Sequence, residues 1–478
     1  MRSPGADWVE VRRGAYHDSV TLMRVSRRLA ERDGVAEAMA AMATELNVEV
    51  LARMGFEVPR DAGPGDLVVA VRADSGSLDE ARSDLDELLR PQPVASGGDL
   101  GAAVAPRTTA SAARGEDAGL VLLSVPGPNV FPEAMDALNA GRNVMIFSDN
   151  VPLAQEVALK EEAARRGLIV LGPDCGTAVI GGAGLGFANA VQPGPVGMVA
   201  ASGTGAQQLM CLLDAAGTGV SHVLGVGGRD LSAEVSGRST LAALAALDAD
   251  PATELIVMVS KPPAPRVADL IREAARRLDT PTVFALPGPD GDDLTRAAEQ
   301  ALAKLGTPVP HWPVWPAPPP PRGCAPALRG LFAGGTLRDE AEAVARAVLG
   351  WEDGVEHRFV DLGDDEYTRG RAHPMIDPTL RLAALAEEAA DPACGVLLLD
   401  VVLGYGAEPD PAAALAPAIE AALNGRDDLA AVVSLCGAAA DPQDRDRQAA
   451  ALNRAGAAVF ASNARAAGHA ARLVKGKG

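Results

Sequence analysis

The chain has 478 residues, with 43 Lys or Arg against 63 Asp or Glu, so its formal net charge is −20. That balance is the opposite of a general nucleic-acid binder's, and an aromatic content of 3% argues against base-stacking platforms. A hydrophobic content of 48% excludes disorder along the whole chain, and roughly 150 residues per domain predicts about three domains.

The N-terminal residues predict neither a secretory signal nor a membrane anchor. Asp7, Glu10 and Arg12 precede any apolar stretch, and no apolar run approaches the roughly 20 residues of a membrane helix. The five cysteines are far apart and form no CxxC pair, so neither a disulfide framework nor a structural zinc site is expected. We therefore expect a soluble, cytoplasmic protein without a bound metal.

In chain order, short Val/Ile/Leu runs alternate with Ala-rich amphipathic segments. The runs are typical of buried strands and lie at 67–71, 120–125, 144–147, 168–171, 196–200, 255–259, 282–286, 396–401, 431–435 and 457–460. Helices are predicted between many of them, such as 154–166, 206–216, 267–278, 337–348 and 380–388. The alternation predicts an α/β fold with open parallel sheets, which bind ligands at the carboxyl ends of their strands.

Two segments interrupt this pattern. Residues 91–115 are rich in Ala, Gly, Ser and Pro and predict a flexible surface loop. Residues 308–326 include four consecutive prolines at 318–321, which predict a stiff linker. With a softer boundary near residue 192, the predicted domains span residues 1–192, 193–307 and 327–478.

Two glycine-rich turns, each between a predicted strand and helix, are the leading candidates for an anion site. They consist of Ser202, Gly203, Thr204 and Gly205, and of Gly334, Gly335 and Thr336. The free N–H groups and dipole of a helix N-terminus attract anions, and glycine allows a ligand to approach closely. Two such turns facing one point would hold a phosphate with little side-chain charge. The alternative is two well-capped helices without a ligand.

A charged loop at residues 359–380 carries the candidate catalytic residues. His373 is a candidate general acid/base or phosphoryl acceptor, and Arg369 and Arg371 are candidates for a bidentate clamp on a carboxylate or phosphoryl oxygen. Asp364 is a candidate pocket residue, although the acidic residues here match no defined metal-site spacing. The alternative is a loop held together by internal salt bridges.

Four further residues near predicted strand ends are candidates for the pocket lining. Asp174 and Cys175 follow the strand at 168–171, Arg229 lies in a glycine turn, and Lys261 follows the strand at 255–259. Lys261 would reach an anion there, and a solvated side chain is its alternative. The alternative for Cys175 is a small buried thiol without catalytic function.

Several long strings resemble the FdrA family and, through it, the succinyl-CoA synthetases. YHDSVTLM, GPDCGTA, GVGGRDLSAEV and FVDLGDDEYTRGRAHPMIDPTLR are similar to FdrA sequences. Residues 172–180, 196–205 and 225–230 resemble the synthetase α subunit, and residues 323–337, 359–363 and 396–406 resemble the β subunit. The resemblance implies a degenerate, CoA-binding-like Rossmann domain over 1–192. Two flavodoxin-like parallel-sheet domains of succinyl-CoA synthetase type would follow, α-like at 193–307 and β-like at 327–478.

The sequence also departs from the synthetases. Residues 287–293 contain no histidine where the synthetases carry their phosphohistidine, and neither a nucleotide-binding grasp domain nor a glycine-rich CoA turn is recognisable. FdrA-like proteins are linked to oxamate carbamoyltransferase, in which phosphate cleaves oxalurate to oxamate and carbamoyl phosphate. The resemblance therefore implies a carbamoyltransferase subunit of purine and allantoin catabolism.

In that enzyme, inorganic phosphate would bind between the two turns as a substrate. The resemblance implies that His373 handles the proton on the departing nitrogen and that Arg369 or Arg371 neutralises the oxamate carboxylate. Companion subunits in a hetero-oligomer are expected as partners, without nucleic acid or membrane. Two alternatives stay open: a subunit of an ADP-forming acyl-CoA synthetase, the one case in which CoA would bind, and a non-catalytic assembly subunit.

Overall fold

The computed structural model describes residues 6–476 except for 16, 18, 31, 91–105, 107, 116, 287–292, 321, 351–353 and 369–371. The chain divides into two compact units. The first comprises Met1–Val104 and Gly363–Asp377, and the second comprises Ala105–Leu362 and Pro378–Gly478.

The first unit contains a three-stranded antiparallel sheet. Its elements are β1 (Ala6–Arg12), α1 (Ser19–Ala30), β2 (Val35–Met42), α2 (Glu45–Arg53), β3 (Leu67–Ala73) and α3 (Ser75–Leu88). β3 lies between β1 and β2 and is antiparallel to both, so α1 joins two parallel strands that are not adjacent, a split βαβ arrangement. β3 is almost entirely apolar because alternate residues pack into two clusters, Leu67 and Val69 with Leu29, and Val68 and Ala70 with Leu51.

This sheet differs from the predicted Rossmann-like domain over residues 1–192. The apolar run at 67–71 correctly indicated a strand covered on both faces, but periodicity does not distinguish a central antiparallel strand from a parallel one. Most of the predicted flexible segment, residues 91–105, lies outside the described residues, whereas the end of that segment forms helix α4 (Thr109–Gly115).

The second unit is built on three sheets. Its strands are β4 (Leu120–Leu123), β5 (Asn143–Ile146), β6 (Val170–Leu171), β7 (Thr177–Ile180), β8 (Ala183–Gly186), β9 (Pro193–Ala200), β10 (Val220–Gly225), β11 (Leu255–Val259), β12 (Thr282–Ala285), β13 (Val314–Trp315), β14 (Ala327–Phe332), β15 (Arg358–Asp361), β16 (Cys394–Val402), β17 (Ala430–Cys436) and β18 (Ala457–Phe460). The remaining helices are α5 (Val130–Asn139), α6 (Leu153–Arg166), α7 (Gly203–Ala215), α8 (Arg238–Asp248), α9 (Pro265–Ala275), α10 (Leu294–Lys304), α11 (Gly335–Leu349), α12 (Asp365–Thr368, in the segment of the first unit), α13 (Thr379–Ala390), α14 (Pro411–Leu423), α15 (Arg445–Arg454) and α16 (Asn463–Val474).

The predicted α/β fold with parallel sheets is confirmed in this unit. The first sheet has the order β4-β5-β6, the second β12-β11-β9-β10-β7-β8, and the third β13-β18-β17-β16-β14-β15. Within the second sheet β9 to β12 are parallel, and within the third sheet β14 to β18 are parallel. Numbered along the chain, the parallel strands of the third sheet have the flavodoxin-like order 2-1-3-4-5.

The proline-rich segment packs against the third sheet instead of forming a free spacer. Its strand β13 pairs antiparallel with β18 at the edge of the sheet, a position that tolerates neighbouring prolines. Trp312 is buried, and its indole N–H donates to Glu299 Oε1 at 3.0 Å. The described part of the predicted linker is therefore fixed on the surface of the second unit.

The helices of the second unit pack mainly by apolar contact with these sheets. In α9, for example, Val267 and Ile271 are buried in the core under the second sheet, whereas Leu270 faces outward. In the part of the chain that the structure describes, no helix is both long and apolar enough to cross a membrane.

Candidate functional site

The first candidate turn follows β9, and Ser202 is the N-cap of α7. Its backbone is extended, and its Oγ accepts a hydrogen bond from the Gly205 N–H at 3.0 Å. The other N–H groups of a first helical turn have no acceptor within the helix, and they point out of the N-terminal end of the helix. The first turn of α7 contains no acidic residue that would neutralise the helix dipole.

The second candidate turn follows β14, and Gly334 is the N-cap of α11. Gly334 is extended and provides no side-chain cap. β14 lies between β15 and β16, and β9 lies between β10 and β11. In each sheet the next strand of the chain pairs on one side of this central strand, and the strand after that pairs on its other side. Both turns therefore follow the strand at a topological switch point, where open α/β sheets bind their ligands.

The two turns are in direct contact. The hydroxyl of Ser202 donates to Thr336 Oγ1 at 2.6 Å across a sequence separation of 134 residues. A Cβ on Gly334 would lie 2.6 Å from Thr204 Oγ1, and a Cβ on Gly205 would lie 3.1 Å from Thr336 Cγ2. The structure thus brings together the two helix N-termini that the sequence predicts to face one point. That they hold a phosphate stays a prediction.

Lys261 and two carboxylates lie beside the N-terminus of α11, where Asp339 also pairs with Arg338 at 3.1 Å. Lys261 Nζ is 3.3 Å from Asp339 Oδ2 and 3.1 Å from where a Cβ on Gly335 would be. Asp361 Oδ2 is 2.5 Å from the same position. The Lys261 side chain is 53% exposed, and an exposed ion pair contributes about 1 kcal/mol at most, so its ammonium can leave Asp339 for an incoming anion. The sequence places Asp361 in the charged loop at 359–380 but does not single it out as a pocket residue.

Buried side chains hold the second and third sheets together around these turns. Asp441 Oδ1 accepts from the Ala190 N–H at 2.7 Å, and its Oδ2 accepts from Asn189 Nδ2 at 2.8 Å. Gln207, in α7, donates to Asn189 Oδ1 at 3.2 Å. Burial raises the pKa of Asp441, while these hydrogen bonds partly offset that effect. The contacts join α7 to the loop after β17, so buried hydrogen bonds connect the second and third sheets.

Asp174 and Cys175 lie in the turn between β6 and β7. Cys175 is buried, and burial raises the pKa of its thiol to about 12, so the thiolate needed for a nucleophile is absent at neutral pH. Asp174 adopts a left-handed backbone conformation with φ 59°. In the strand that follows, Thr177 reaches the α7 turn, with Oγ1 3.2 Å from where a Cβ on Gly203 would be.

Arg229 belongs to a buried ion cluster that sequence reasoning did not find. Lys160 is 2% exposed, and its Nζ lies 2.8 Å from both Glu156 Oε1 and Asp230 Oδ1. Arg229 Nη2 lies 3.0 Å from Glu156 Oε2. Asp230 also accepts hydrogen bonds from two main-chain N–H groups in the first turn of α8. The cluster thus connects α6, the turn after β10 and α8. It escaped notice because a lysine in an Ala-rich amphipathic helix normally faces solvent.

The candidate residues of the charged loop are divided between the described first unit and residues without a described position. Arg369 and Arg371 are outside the described residues. His373 and Asp364 lie in the segment that belongs to the first unit. His373 Nδ1 accepts a hydrogen bond from the main-chain N–H two residues ahead at 3.2 Å, and Asp364 Oδ1 accepts one from the main chain at the start of α12 at 3.0 Å. The catalytic roles of these residues stay predictions.

Glu340, one turn into α11, is a buried carboxyl group at a junction of three helices. It is 1% exposed; its Oε1 accepts from the Leu294 N–H at the start of α10, and its Oε2 accepts from Asn463 Nδ2 in α16 at 2.7 Å. Burial raises the pKa of Glu340 to about 7, with a smaller contribution in the same direction from Asp293.

We expect Glu340→Gln to remove a pH dependence of stability. Because its folded-state pKa of about 7 exceeds the unfolded value near 4.5, Glu340 favours folding below pH 4.5, and this contribution is lost as pH rises through 7. The loss amounts to about 3 kcal/mol, and the glutamine variant, whose side chain does not titrate, should not show it. Urea unfolding between pH 4.5 and 8 measures it. Glu342→Gln, a half-buried site in the same helix, is the control, and an unchanged pH slope in Glu340→Gln would contradict the expectation.

Comparison with known proteins identifies two modules. Residues 5–105 match the family model "AllF, heavy metal-associated domain", and residues 331–473 match the family model "CoA-ligase". The second unit therefore contains a succinyl-CoA synthetase-like CoA-ligase domain.

Individual proteins resemble larger parts of the chain. The uncharacterized protein YahF of Escherichia coli (strain K12) is 36% identical over 499 residues, covering 95% of this chain and 96% of YahF. Subunit alpha 2 of the ADP-forming succinate–CoA ligase of Archaeoglobus fulgidus is 28% identical over 203 residues, covering 41% of this chain and 69% of that subunit. The dinucleotide-forming acetyl-coenzyme A synthetase 1 of Ca. Korarchaeum cryptofilum, in complex with phosphate and ADP, is 16% identical, covers 75% of this chain and 82% of that one, and has a TM-score of 0.29.

The name of the N-terminal family model implies a heavy metal, which the donor set of this domain does not fit. The sequence has no cysteine before Cys175, and soft metals select thiolate ligands. Among the residues with described positions, no group of three or more His, Cys, Asp or Glu is arranged to hold a metal ion.

Proposed function

Because the chain belongs to the family of the E. coli protein YahF and carries a CoA-ligase-type domain, we propose that it handles an acyl phosphate, with the phosphate bound between the N-termini of α7 and α11. The hydrogen bond of 2.6 Å between Ser202 Oγ and Thr336 Oγ1 carries this proposal, because it places both helix N-termini at one point. Each N-terminus is equivalent to roughly half a positive charge, so the pair provides about one charge without a buried cation.

The chemistry follows from that geometry. Main-chain N–H groups of Gly203 and Gly335 would bind phosphate oxygens, the hydroxyls of Ser202 and Thr336 would orient them, and Lys261 would add a mobile cation at the rim. A phosphate oxygen would attack the acyl or carbamoyl carbon, and the bond to the leaving group would break as that group takes up a proton. Donors fixed in advance at the charged oxygens lower the barrier, because they need no reorganisation during the reaction.

Two reactions of this class have separate support. The CoA-ligase domain and the similarity to a succinate–CoA ligase subunit favour a subunit of an ADP-forming acyl-CoA synthetase, with the nucleotide site on a companion subunit. The AllF match and the resemblance to FdrA favour the conversion of oxalurate and phosphate to oxamate and carbamoyl phosphate. The absence of histidine from residues 287–293 fits the second reaction, which needs no phosphohistidine. The comparisons favour the first, and we retain the second as the other candidate. In the second, the roles of His373, Arg369 and Arg371 rest on the sequence.

The products distinguish these candidates. The purified chain is combined with the products of neighbouring genes and supplied either with oxalurate and phosphate or with a carboxylic acid, CoA and ATP. Carbamoyl phosphate formed without nucleotide supports the carbamoyltransferase, and acyl-CoA formed together with ADP supports the synthetase. If neither reaction occurs and loss of the chain leaves the companions' own activity unchanged, the proposal is wrong.

We expect Ser202→Ala to weaken the binding of inorganic phosphate by about 5- to 30-fold, because it removes both a helix cap and a hydroxyl group of the site. Isothermal titration calorimetry with the purified chain measures this. Ser462→Ala is the matched control, because Ser462 caps α16 in the same way, with Oγ accepting from the Arg465 N–H at 3.1 Å. Equal phosphate affinity in the Ser202 variant and the wild type would contradict the proposed site.

A further inference from the structure

A buried ion pair lies directly beneath the α11 turn. Asp400 in β16 is 0% exposed and Arg381 in the first turn of α13 is 4% exposed. Arg381 Nη2 donates to Asp400 Oδ1 at 2.7 Å and to the Leu331 main-chain oxygen at 3.3 Å. Asp400 is the one charged residue in the sequence of β16, whose other residues are apolar or glycine and pack in the core of the third sheet.

The same carboxylate oxygen holds the turn itself. Asp400 Oδ1 accepts a hydrogen bond from the Ala333 N–H at 2.9 Å. Ala333 is the residue between the end of β14 and the N-cap of α11, so this bond sets the direction in which the chain enters the helix. The pair therefore connects three elements: β16, α13 and the turn that begins α11.

Stability does not account for this pair. A buried ion pair is frequently no better than apolar residues of the same volume, because removing two charges from water offsets their attraction. Within the described part of the chain, Asp400 Oδ2 and Arg381 Nε are both buried without a hydrogen-bond partner, which makes the pair less favourable still. Burial also acts against both charges, raising the pKa of Asp400 and lowering that of Arg381. A pair with these costs in an apolar core indicates a role other than holding the core together.

The pair also lies where the chain returns to the second unit. The chain leaves that unit after Leu362 and re-enters it at Pro378, the N-cap of α13. Asp361, just before the chain leaves the second unit, lies beside Gly335. Arg381, just after the chain re-enters that unit, pairs with Asp400, which accepts the hydrogen bond from Ala333. The residues of the second unit on either side of this departure thus both contact the α11 turn.

We propose that Arg381 and Asp400 are positioning residues for the anion site, which fix the Ala333–Gly334 peptide so that the N-terminus of α11 points at the bound phosphate. This inference rests on the proposed function, because it assigns the pair a task at that site. Neither side chain touches the anion. Each acts through the main chain of the turn.

The decisive variant replaces the whole pair with apolar residues, Arg381→Met with Asp400→Leu. If the pair only supports the core, this double variant keeps its phosphate affinity. If the pair positions the turn, the Kd for inorganic phosphate rises about tenfold and the amides in the first turn of α11 exchange with solvent faster. The melting temperature does not decide between the two cases, because the buried Ala333 N–H loses its acceptor in both. Asp400→Asn keeps an acceptor for the Ala333 N–H but leaves Arg381 without its carboxylate, so it should raise the Kd by a smaller factor. The double variant decides the outcome if Asp400→Asn does not fold.

Glu388→Gln is the matched control, because Glu388 pairs with buried Arg329 in the same domain, with Oε2 2.9 Å from Nε, at the opposite end of β14. It should lower the melting temperature without changing the Kd for phosphate. If the wild type does not bind phosphate, the proposed function fails, and amide exchange in the first turn of α11 still tests the positioning. If the wild type binds phosphate and the double variant matches it in affinity and exchange, the positioning inference is wrong.

Discussion

Gly334→Ala is expected to weaken phosphate binding by about 100-fold, because its Cβ would force the two turns apart. The new atom would lie 2.6 Å from Thr204 Oγ1 and 2.8 Å from Thr204 Cβ. Rotating the Thr204 side chain moves Oγ1 but not Cβ, so the main chain of one turn has to shift. A displacement of about 1 Å in a preorganised site reduces its effectiveness by about two orders of magnitude. The substitution removes no polar group from the site, so a loss of binding would come from the displacement of the two turns alone.

The test is phosphate titration calorimetry on three variants. Gly334→Ala should lose binding, and Gly334→Ala with Thr204→Gly should regain part of it, because the clashing atoms are removed. Gly65→Ala in the first unit is the control, since a Cβ there meets nothing within 4 Å. Normal affinity in Gly334→Ala, or no recovery in the double variant, would show that contact between the two turns does not determine anion binding.

The sequence predicted the parts of the site whose signals are local. Each turn combines a strand end, glycine, Ser or Thr and a helix start within about ten residues, so both could be recognised without a structure. The strands before the two turns belong to different sheets, so the edge of a single sheet does not predict that the turns meet. Only the resemblance to two synthetase subunits pointed to that meeting. The hydrogen bond between Ser202 and Thr336 makes that meeting concrete.

Features that depend on distant packing could not be predicted in this way. Nothing local to Lys160 shows that Asp230, 70 residues later, is buried beside it. Asp400 lies inside the predicted strand at 396–401, and nothing local shows that Arg381, 19 residues earlier, is buried beside it. The antiparallel position of β3 depends on the path of the chain between strands, and the apolar run at 67–71 fits either orientation.

The position of the proline-rich segment also depends on distant packing. Its composition predicts an extended chain, which is what a sheet edge accepts, but composition does not tell whether an edge is available. In the structure β18 offers that edge, and the segment pairs with it. The proline content therefore predicts the extended conformation of this segment, whereas its pairing with β18 depends on the fold of the whole unit.

Lys160→Met is expected to lower the free energy of unfolding of the second unit by about 3–5 kcal/mol. The methionine keeps the apolar volume of the lysine but removes its charge, leaving the Glu156 and Asp230 carboxylates buried, with the guanidinium of Arg229 as the remaining nearby cation. Removing one partner of a buried ion pair costs more than the pair itself contributes, because the remaining charges stay desolvated. The effect should be concentrated in α6 and α8, the helices that the cluster joins.

Hydrogen exchange resolved by segment is the appropriate measurement, because a chain with two units need not unfold in one step. Faster exchange in α6, α8 and the turn after β10, with the first unit unchanged, is the expected pattern. Arg165→Met is the control on the same helix, because the Arg165 side chain is 73% exposed and its ion pair with Glu162 contributes about 1 kcal/mol at most. Adding Asp230→Asn to Lys160→Met should recover part of the loss by removing one of the stranded charges. Equal stability of Lys160→Met and Arg165→Met would contradict the prediction, because the buried cluster would then stabilise the unit no more than an exposed ion pair does.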